Sequence, residues 1–321
     1  MTTSVRDGSV ALVAFGGNVI MRSGEAGTLR EQQVNARELC AQLVTLLKRG
    51  YELVVTHGNG PQVGNLLMQN ELARELVPTL PLDVLVAQTE GSLGYLLQQE
   101  LLNELRANDI RKYVATLITQ VLVDRSDPAF EKPSKPVGPF YAEKDVAGLL
   151  ERFPAWRMIE DSGRGYRRIV PSPMPKRIIQ SRMIRSLAYA GNVVLALGGG
   201  GVPIAKDAAG QYVGVEAVID KDLSSALLAV DIKADVFVIL TGTEKVCLNF
   251  GKPDERPLFE MTYSEAEQYL SEGHFPPGSM GPKISAALLY LKAGGRKVII
   301  TDPENLDRAL DGEAGTRVIW K

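Results

Sequence analysis

Val10–Phe15 (VALVAF) is an unbroken apolar run, too short for a helix and without the alternation of a half-exposed strand. It predicts a strand covered on both faces. The run stops at Gly16-Gly17-Asn18. From Leu29 to Arg49 apolar residues return near helical spacing (Val34, Leu39, Leu43, Leu46, Leu47) until Gly50 ends the helix. Glu52–Thr56 predicts a second buried strand. It ends in His57-Gly58-Asn59-Gly60-Pro61, where Pro61 suits the first turn of a helix continuing through Leu76. A longer helix over Asp83–Asn108 and a strand over Val114–Val123 follow.

The rhythm then breaks. Eight of the 18 prolines lie between Asp124 and Pro175, together with Trp156 and the basic residues Arg164, Arg167 and Arg168. This composition predicts an ordered insertion, a subdomain or lid over 124–175, rather than a linker. Afterwards come a helix at Ser181–Ala190, a strand at Asn192–Leu197 ending in Gly198–Gly201, a turn-rich hairpin at Lys206–Val218 and a helix at Asp220–Val230. A strand at Val236–Leu240, a helix at Pro282–Lys292 and closing strands at Lys297–Ile300 and Arg317–Trp320 complete the series. The alternation predicts an α/β layered fold with a mainly parallel sheet, built as one domain over 1–321.

Composition narrows the function. With 36 Lys+Arg against 38 Asp+Glu and no long basic run, charge gives no support for a nucleic-acid partner. Two cysteines, Cys40 and Cys247, and two histidines, His57 and His274, make neither a disulfide framework nor a transition-metal cluster. Both cysteines are expected to be buried and inert. The longest uncharged stretch, Ser186–Ala205, contains Gly191, Asn192, four consecutive glycines and Pro203, which argues against a spanning helix. Val10–Phe15 is too brief for a secretory h-region, and a soluble, cytoplasmic protein is expected.

Glycine is enriched and placed where a ligand could bind. It makes up 31 of 321 residues, and three strands end directly in Gly16-Gly17-Asn18, Gly58-Asn59-Gly60 and Gly198–Gly201. Such turns collect at the carboxyl ends of parallel strands and let a ligand reach backbone N–H groups, with helix N-termini adding positive character after the first two. One such turn only reverses a chain; three together point to a phosphate. Standard nucleotide motifs are missing: there is no GxxxxGK[ST], and Pro203 breaks GxGxxG. His57 reads either as a general base or as a structural loop hydrogen bond. Arg164, Arg167 and Arg168 read either as an anion clamp or as a salt-bridged patch.

Seven segments, VALVAFGGN, THGNGPQVGN, SKPVGPFY, EDSGRGYRRIVPSP, LGGGGVPI, AVIDKDLSSALLA and EGHFPPGSMGPK, occur in that order. Together the chain resembles the carbamate kinases of the amino-acid kinase superfamily, over nearly its whole length from Val10 to Arg317. The resemblance implies an open αβα sandwich of about eight strands with a small protruding subdomain, assembled as a homodimer. It implies reversible phosphoryl transfer, ATP + carbamate = ADP + carbamoyl phosphate, with ATP formation as the useful direction. Mg2+ would travel with the nucleotide phosphates, with no protein metal site. By the same resemblance Lys221 and Lys283 point at the phosphates, Lys135 is carried over the site by the subdomain, and Asp222 holds the two core lysines. Gly16, Gly17 and Asn18 would donate to the transferred group, and Gly58, Asn59 and Gly60 to the carbamate side. Gly199 and Gly200 would serve the substrate phosphate, and Thr241, Gly242, Lys245 and Met280 the nucleotide. In one place the chain departs: Gly242 stands where many relatives have aspartate, and Cys247 where tyrosine is frequent, which bears on nucleotide affinity. A kinase of another small carboxylate or nucleotide, and a weakly catalytic sensor of ATP or carbamoyl phosphate, are the competing functions.

Overall fold

The computed structural model describes residues 8–22, 24–161 and 163–321; Ser162, within the EDSGRGYRRIVPSP segment, lies outside them. Its centre is an eight-stranded sheet in the order Glu260–Thr262, Thr316–Ile319, Lys297–Thr301, Val236–Leu240, Val10–Phe15, Glu52–His57, Val193–Ala196, Val114–Thr116. The six strands from Lys297–Thr301 to Val114–Thr116 are parallel, and Thr316–Ile319 runs antiparallel to Lys297–Thr301.

All six residues of Val10–Phe15 are fully buried, as the unbroken apolar run requires. Their side chains split by alternation. Val10, Leu12 and Ala14 join a core with Ile184, Leu228, Ile284 and Tyr290 on one face of the sheet. Ala11, Val13 and Phe15 join a second core with Leu39, Leu43, Leu97 and Leu101 on the other. The helices Ser181–Tyr189, Lys221–Asp231 and Met280–Lys292 thus cover one face, and Leu29–Lys48 and Leu82–Ala107 the other. The result is an α/β open sandwich. Among the described residues no helix is long and apolar enough to cross a membrane.

Four details correct the sequence reading. The predicted strand Val114–Val123 is two strands in different sheets, Val114–Thr116 and Gln120–Leu122. The chain breaks between them because the Thr119 N–H donates to the carboxyl group of buried Glu90 (2.9 Å) instead of to a neighbouring strand. The helix predicted through Leu76 ends at Leu72, and residues 73–76 fold as turns. The hairpin starts earlier than predicted, pairing Val202–Lys206 with Tyr212–Gly214. A region between Val246 and Ser271, left unassigned in sequence, holds a small hairpin (Val246–Leu248 with Arg256–Leu258), an edge strand and a helix.

The proline-rich stretch contains an antiparallel three-stranded sheet, Lys135–Tyr141, Tyr166–Val170 and Arg157–Glu160, with the helix Glu143–Arg152. Val137 and Val170 dock it on Val63, Leu67, Leu82 and Val86 of the main body. One contact is backbone to backbone. Gly64, inside the Gly60–Leu72 helix, faces Gly138 so tightly that a Cβ at Gly64 would lie 1.7 Å from the Gly138 Cα.

Candidate active site

The parallel strands Val10–Phe15, Glu52–His57, Val193–Ala196 and Val236–Leu240 all end at one edge of the sheet, and a cleft of about 1170 Å³ opens there. The N-termini of the Gly60–Leu72, Lys221–Asp231 and Met280–Lys292 helices reach the same cleft. Helix N-termini carry unsatisfied N–H groups and partial positive charge, so the site is suited to anions before any side chain is counted.

Lys221 opens its helix and threads between two glycine turns. Cβ atoms at Gly16 and Gly58 would lie 3.9 Å from its Cε and 3.3 Å from its Cδ. The turns also pack on each other, since a Cβ at Gly58 would sit 2.7 Å from the Gly17 nitrogen. Glycine is therefore required at position 58 for the two backbones to meet. The Lys221 ammonium is bonded to one oxygen of Asp222, and the Lys283 Nζ lies 3.2 Å from the other. Asp222 is almost fully buried. Burial pushes its carboxyl upward, but Lys221 and Lys283 outweigh this and hold it well below the usual carboxylate range. Burial depresses the Lys221 ammonium, with Asp222 opposing and Lys283 adding to the depression.

The third lysine arrives from the separate three-stranded sheet of the proline-rich stretch. Lys135 begins the Lys135–Tyr141 strand, and its Nζ is 2.6 Å from Asp220 Oδ2. Burial works against its charge, and Asp220 reverses the balance and raises its pKa. Arg167 bonds Asp161 (3.1 Å) and the Gly138 carbonyl (3.0 Å) and leans over the Phe140 ring, with Arg164 beside it, so both face the cleft through a salt-bridged arrangement. Arg168 points elsewhere, onto Trp156 beside a smaller pocket.

Of the residues proposed from sequence, Gly16, Gly17, Asn18, Gly58, Asn59, Gly60, Lys135, Gly199, Lys221, Asp222, Thr241, Gly242 and Lys283 line the cleft. Gly200, Lys245 and Met280 are not on its wall. Gly200 packs under the Ile219 carbonyl, Lys245 pairs with Glu244 over Phe259, and Met280 packs against the core. Asn59 lines the cleft, while its side-chain amide donates to Thr89 (2.7 Å) and presses on Gly199. His57 lies behind the turn, buried, donating from Nδ1 to the Gly58 carbonyl at 3.1 Å; burial lowers its pKa to about 4. That is the structural of its two readings. Cys40 is buried as expected, whereas Cys247 is only half-buried. A Cβ at Gly242 would meet nothing within 4 Å, so the missing aspartate leaves open space.

Asp220 and Arg22 were not singled out in sequence and both line the cleft. Asp220 had a readable signal, an aspartate immediately before a helix, which is the favoured N-cap. Arg22 had none.

Residues 9–302 match the sequence pattern that defines the amino acid kinase family. The chain belongs to that family. Among amino acid kinases it is similar to the carbamate kinase of Thermococcus kodakarensis, 46% identical over 311 residues covering 96% of this chain and 98% of that one. It is 47% identical over 312 residues to the carbamate kinase-like protein YahI of Escherichia coli, covering 97% and 98%. The solved structure of Giardia lamblia carbamate kinase bound to AMP-PNP matches it with a TM-score of 0.88 and 39% identity, over 98% of this chain and 99% of that chain. In this amino acid kinase no group of three His, Cys, Asp or Glu among the described residues could hold a metal ion. The buried carboxylates Asp220 and Asp222 are already held by lysines. With those carboxylates engaged, a hard cation would fit here as one that keeps its waters and is held by phosphate oxygens of a bound ligand.

Proposed function

We propose that this amino acid kinase is a carbamate kinase that interconverts ATP + carbamate and ADP + carbamoyl phosphate, working mainly in the ATP-forming direction. The observation that carries the reading is the convergence of three lysines from separate elements on one cleft, with Asp222 bonded to two of them.

Phosphoryl transfer demands placement and charge neutralisation more than covalent chemistry. Lys221 and Lys283 supply two cations on one side of the moving phosphoryl, fixed by a buried carboxylate so that little reorganisation is needed in the transition state. Lys135 closes the other side, and Gly16, Gly17 and Asn18 offer donors below. Gly58, Asn59 and Gly60 face the carbamate. In the ATP-forming direction a β-phosphate oxygen of ADP attacks phosphorus, the carbamate oxygen leaves with the bonding electrons, and neither oxygen has a proton to lose. This agrees with a histidine that is buried and neutral rather than facing the cleft. The nucleotide would be bound with Mg2+ on its phosphates, which would add to the neutralisation supplied by Lys135, Lys221 and Lys283. The reading extends to a homodimer in the cytoplasm, without nucleic-acid or membrane partners, and to 124–175 as a lid on one domain.

An acceptor panel tests it. With ATP and Mg2+, ADP formation with carbamate and none with acetylglutamate or uridylate is the expected result. A preference for either of the others would place the protein elsewhere among the amino acid kinases.

A further inference from the structure

Asp220 makes two sets of contacts that no role assigned so far requires together. Its Oδ2 lies 2.6 Å from Lys135 Nζ, on the inserted subdomain. Its Oδ1 accepts from the backbone N–H of Asp222 (2.9 Å) and more weakly from that of Leu223 (3.4 Å), which makes it the N-cap of the Lys221–Asp231 helix. We propose that Asp220 is a positioning residue, a single carboxylate that fixes the subdomain's lysine and the start of the Lys221-Asp222 helix to one another. This inference rests on the phosphotransferase reading above and adds a residue to it.

Lys221 and Lys283 are referenced to Asp222, and both lie on the main body. Lys135 sits on a separate small sheet, and its position over the cleft depends on what holds that sheet down. The Gly64–Gly138 contact fixes the strand's backbone, but Lys135 has a long flexible side chain that a backbone contact does not orient. The Lys135–Asp220 pair has side-chain exposures of 30% and 14%, so it is shielded enough from water to set a geometry. Because the same carboxylate caps the helix, a shift of that helix moves the anchor of Lys135 with it.

Asparagine separates the two roles. It caps helices about as well as aspartate, yet it has no charge to hold Lys135. The charged groups facing Lys135 are Asp220 and Asp222 on the helix and Arg167 on the neighbouring strand. Without the Asp220 charge, burial and Arg167 are opposed by Asp222 alone, and the Lys135 pKa must fall.

The test compares wild type, Asp220→Asn, Lys135→Met and the double variant in ATP formation from carbamoyl phosphate and ADP. The proposal expects Asp220→Asn to melt within a few degrees of wild type and to lose roughly 10- to 100-fold in kcat/KM. The double variant should be no slower than Lys135→Met alone, since the aspartate acts through that lysine. The Lys135 titration, followed by NMR of 13C-methylated lysines and assigned with Lys135→Arg, is read in the same samples and needs no turnover. A lower midpoint in Asp220→Asn supports the proposal; an unchanged midpoint overturns it. Activity losses in Asp220→Asn and Lys135→Met that simply multiply in the double variant would also overturn it, leaving Asp220 a helix cap. A wild type that makes no ATP while the Lys135 midpoint still shifts would leave the coupling standing and refute the carbamate kinase reading instead.

Discussion

Replacing Gly64 by alanine adds one methyl group where two backbones already touch. The new Cβ would lie 1.7 Å from Gly138 Cα, 2.0 Å from Gly138 N and 3.1 Å from the Val137 carbonyl carbon. Carbon atoms settle at about 3.5–4.0 Å, so the Lys135–Tyr141 strand must retreat by about 2 Å. Lys135 is on that strand, and after a retreat of this size its side chain must stretch to keep its 2.6 Å contact with Asp220 or give the contact up, so its ammonium is displaced over the cleft. Misplacing a catalytic group by 1 Å costs on the order of 100-fold, so turnover should fall by at least about that factor. Stability changes less. Alanine favours the helix by up to about 1 kcal/mol over glycine, against about 1.5–3 kcal/mol if Val137 loses its burial. A fall of a few degrees in melting temperature is expected. Gly148→Ala is the control, in the Glu143–Arg152 helix of the same proline-rich stretch with nothing within 4 Å of the added Cβ. The assay is ATP formation from carbamoyl phosphate and ADP beside a thermal melt. Gly64→Ala turning over within threefold of wild type would refute the claim that this contact seats the subdomain.

Lys221→Ala should reduce kcat by orders of magnitude with a modest loss of ADP affinity by calorimetry, because its charge matters most in the transition state; near-normal turnover would contradict its role. Burial holds the Glu90 carboxyl well above its ordinary range. The unfolded chain therefore ionises it first, and stability is lost as pH rises above about 4.5. Glu90→Gln, neutral at every pH, should flatten that decline in a series of melts from pH 5 to 9. His57 works in the opposite direction: the unfolded imidazole protonates near 6.5 and the folded one near 4. Stability on the order of 3 kcal/mol should vanish as pH falls across that window; in the Glu90→Gln background, where the opposing carboxyl is removed, a melting temperature constant from pH 7 to 4 would contradict burial of His57 as the neutral form.

Much of the fold was legible because its central strands are apolar without interruption. Val10–Phe15 and Val236–Leu240 are buried on both faces, and no other element type fits so short a run. The glycine turns were legible for the same reason, since each ends such a strand. The break at Leu117–Thr119 was not, because it depends on Glu90, far away on another helix and outwardly an ordinary charged residue. The edge strand and helix after Glu260 were missed although Thr262 and Glu265 form a capping box, a signal present in the sequence. The lysines needed the family resemblance: one lysine looks like another until Asp222 and Asp220 are seen to hold them. Asp220 itself was hidden inside its motif, readable as a cap but not as the partner of a residue 85 positions earlier.

The most direct measurement is ATP production from carbamoyl phosphate, ADP and Mg2+ by the purified protein, with acetyl phosphate as a parallel donor. Rapid ATP formation from carbamoyl phosphate, slower from acetyl phosphate and abolished in Lys221→Ala, is the predicted result. No turnover with carbamoyl phosphate, while calorimetry shows ADP bound, would contradict the account and direct attention to the open space at Gly242.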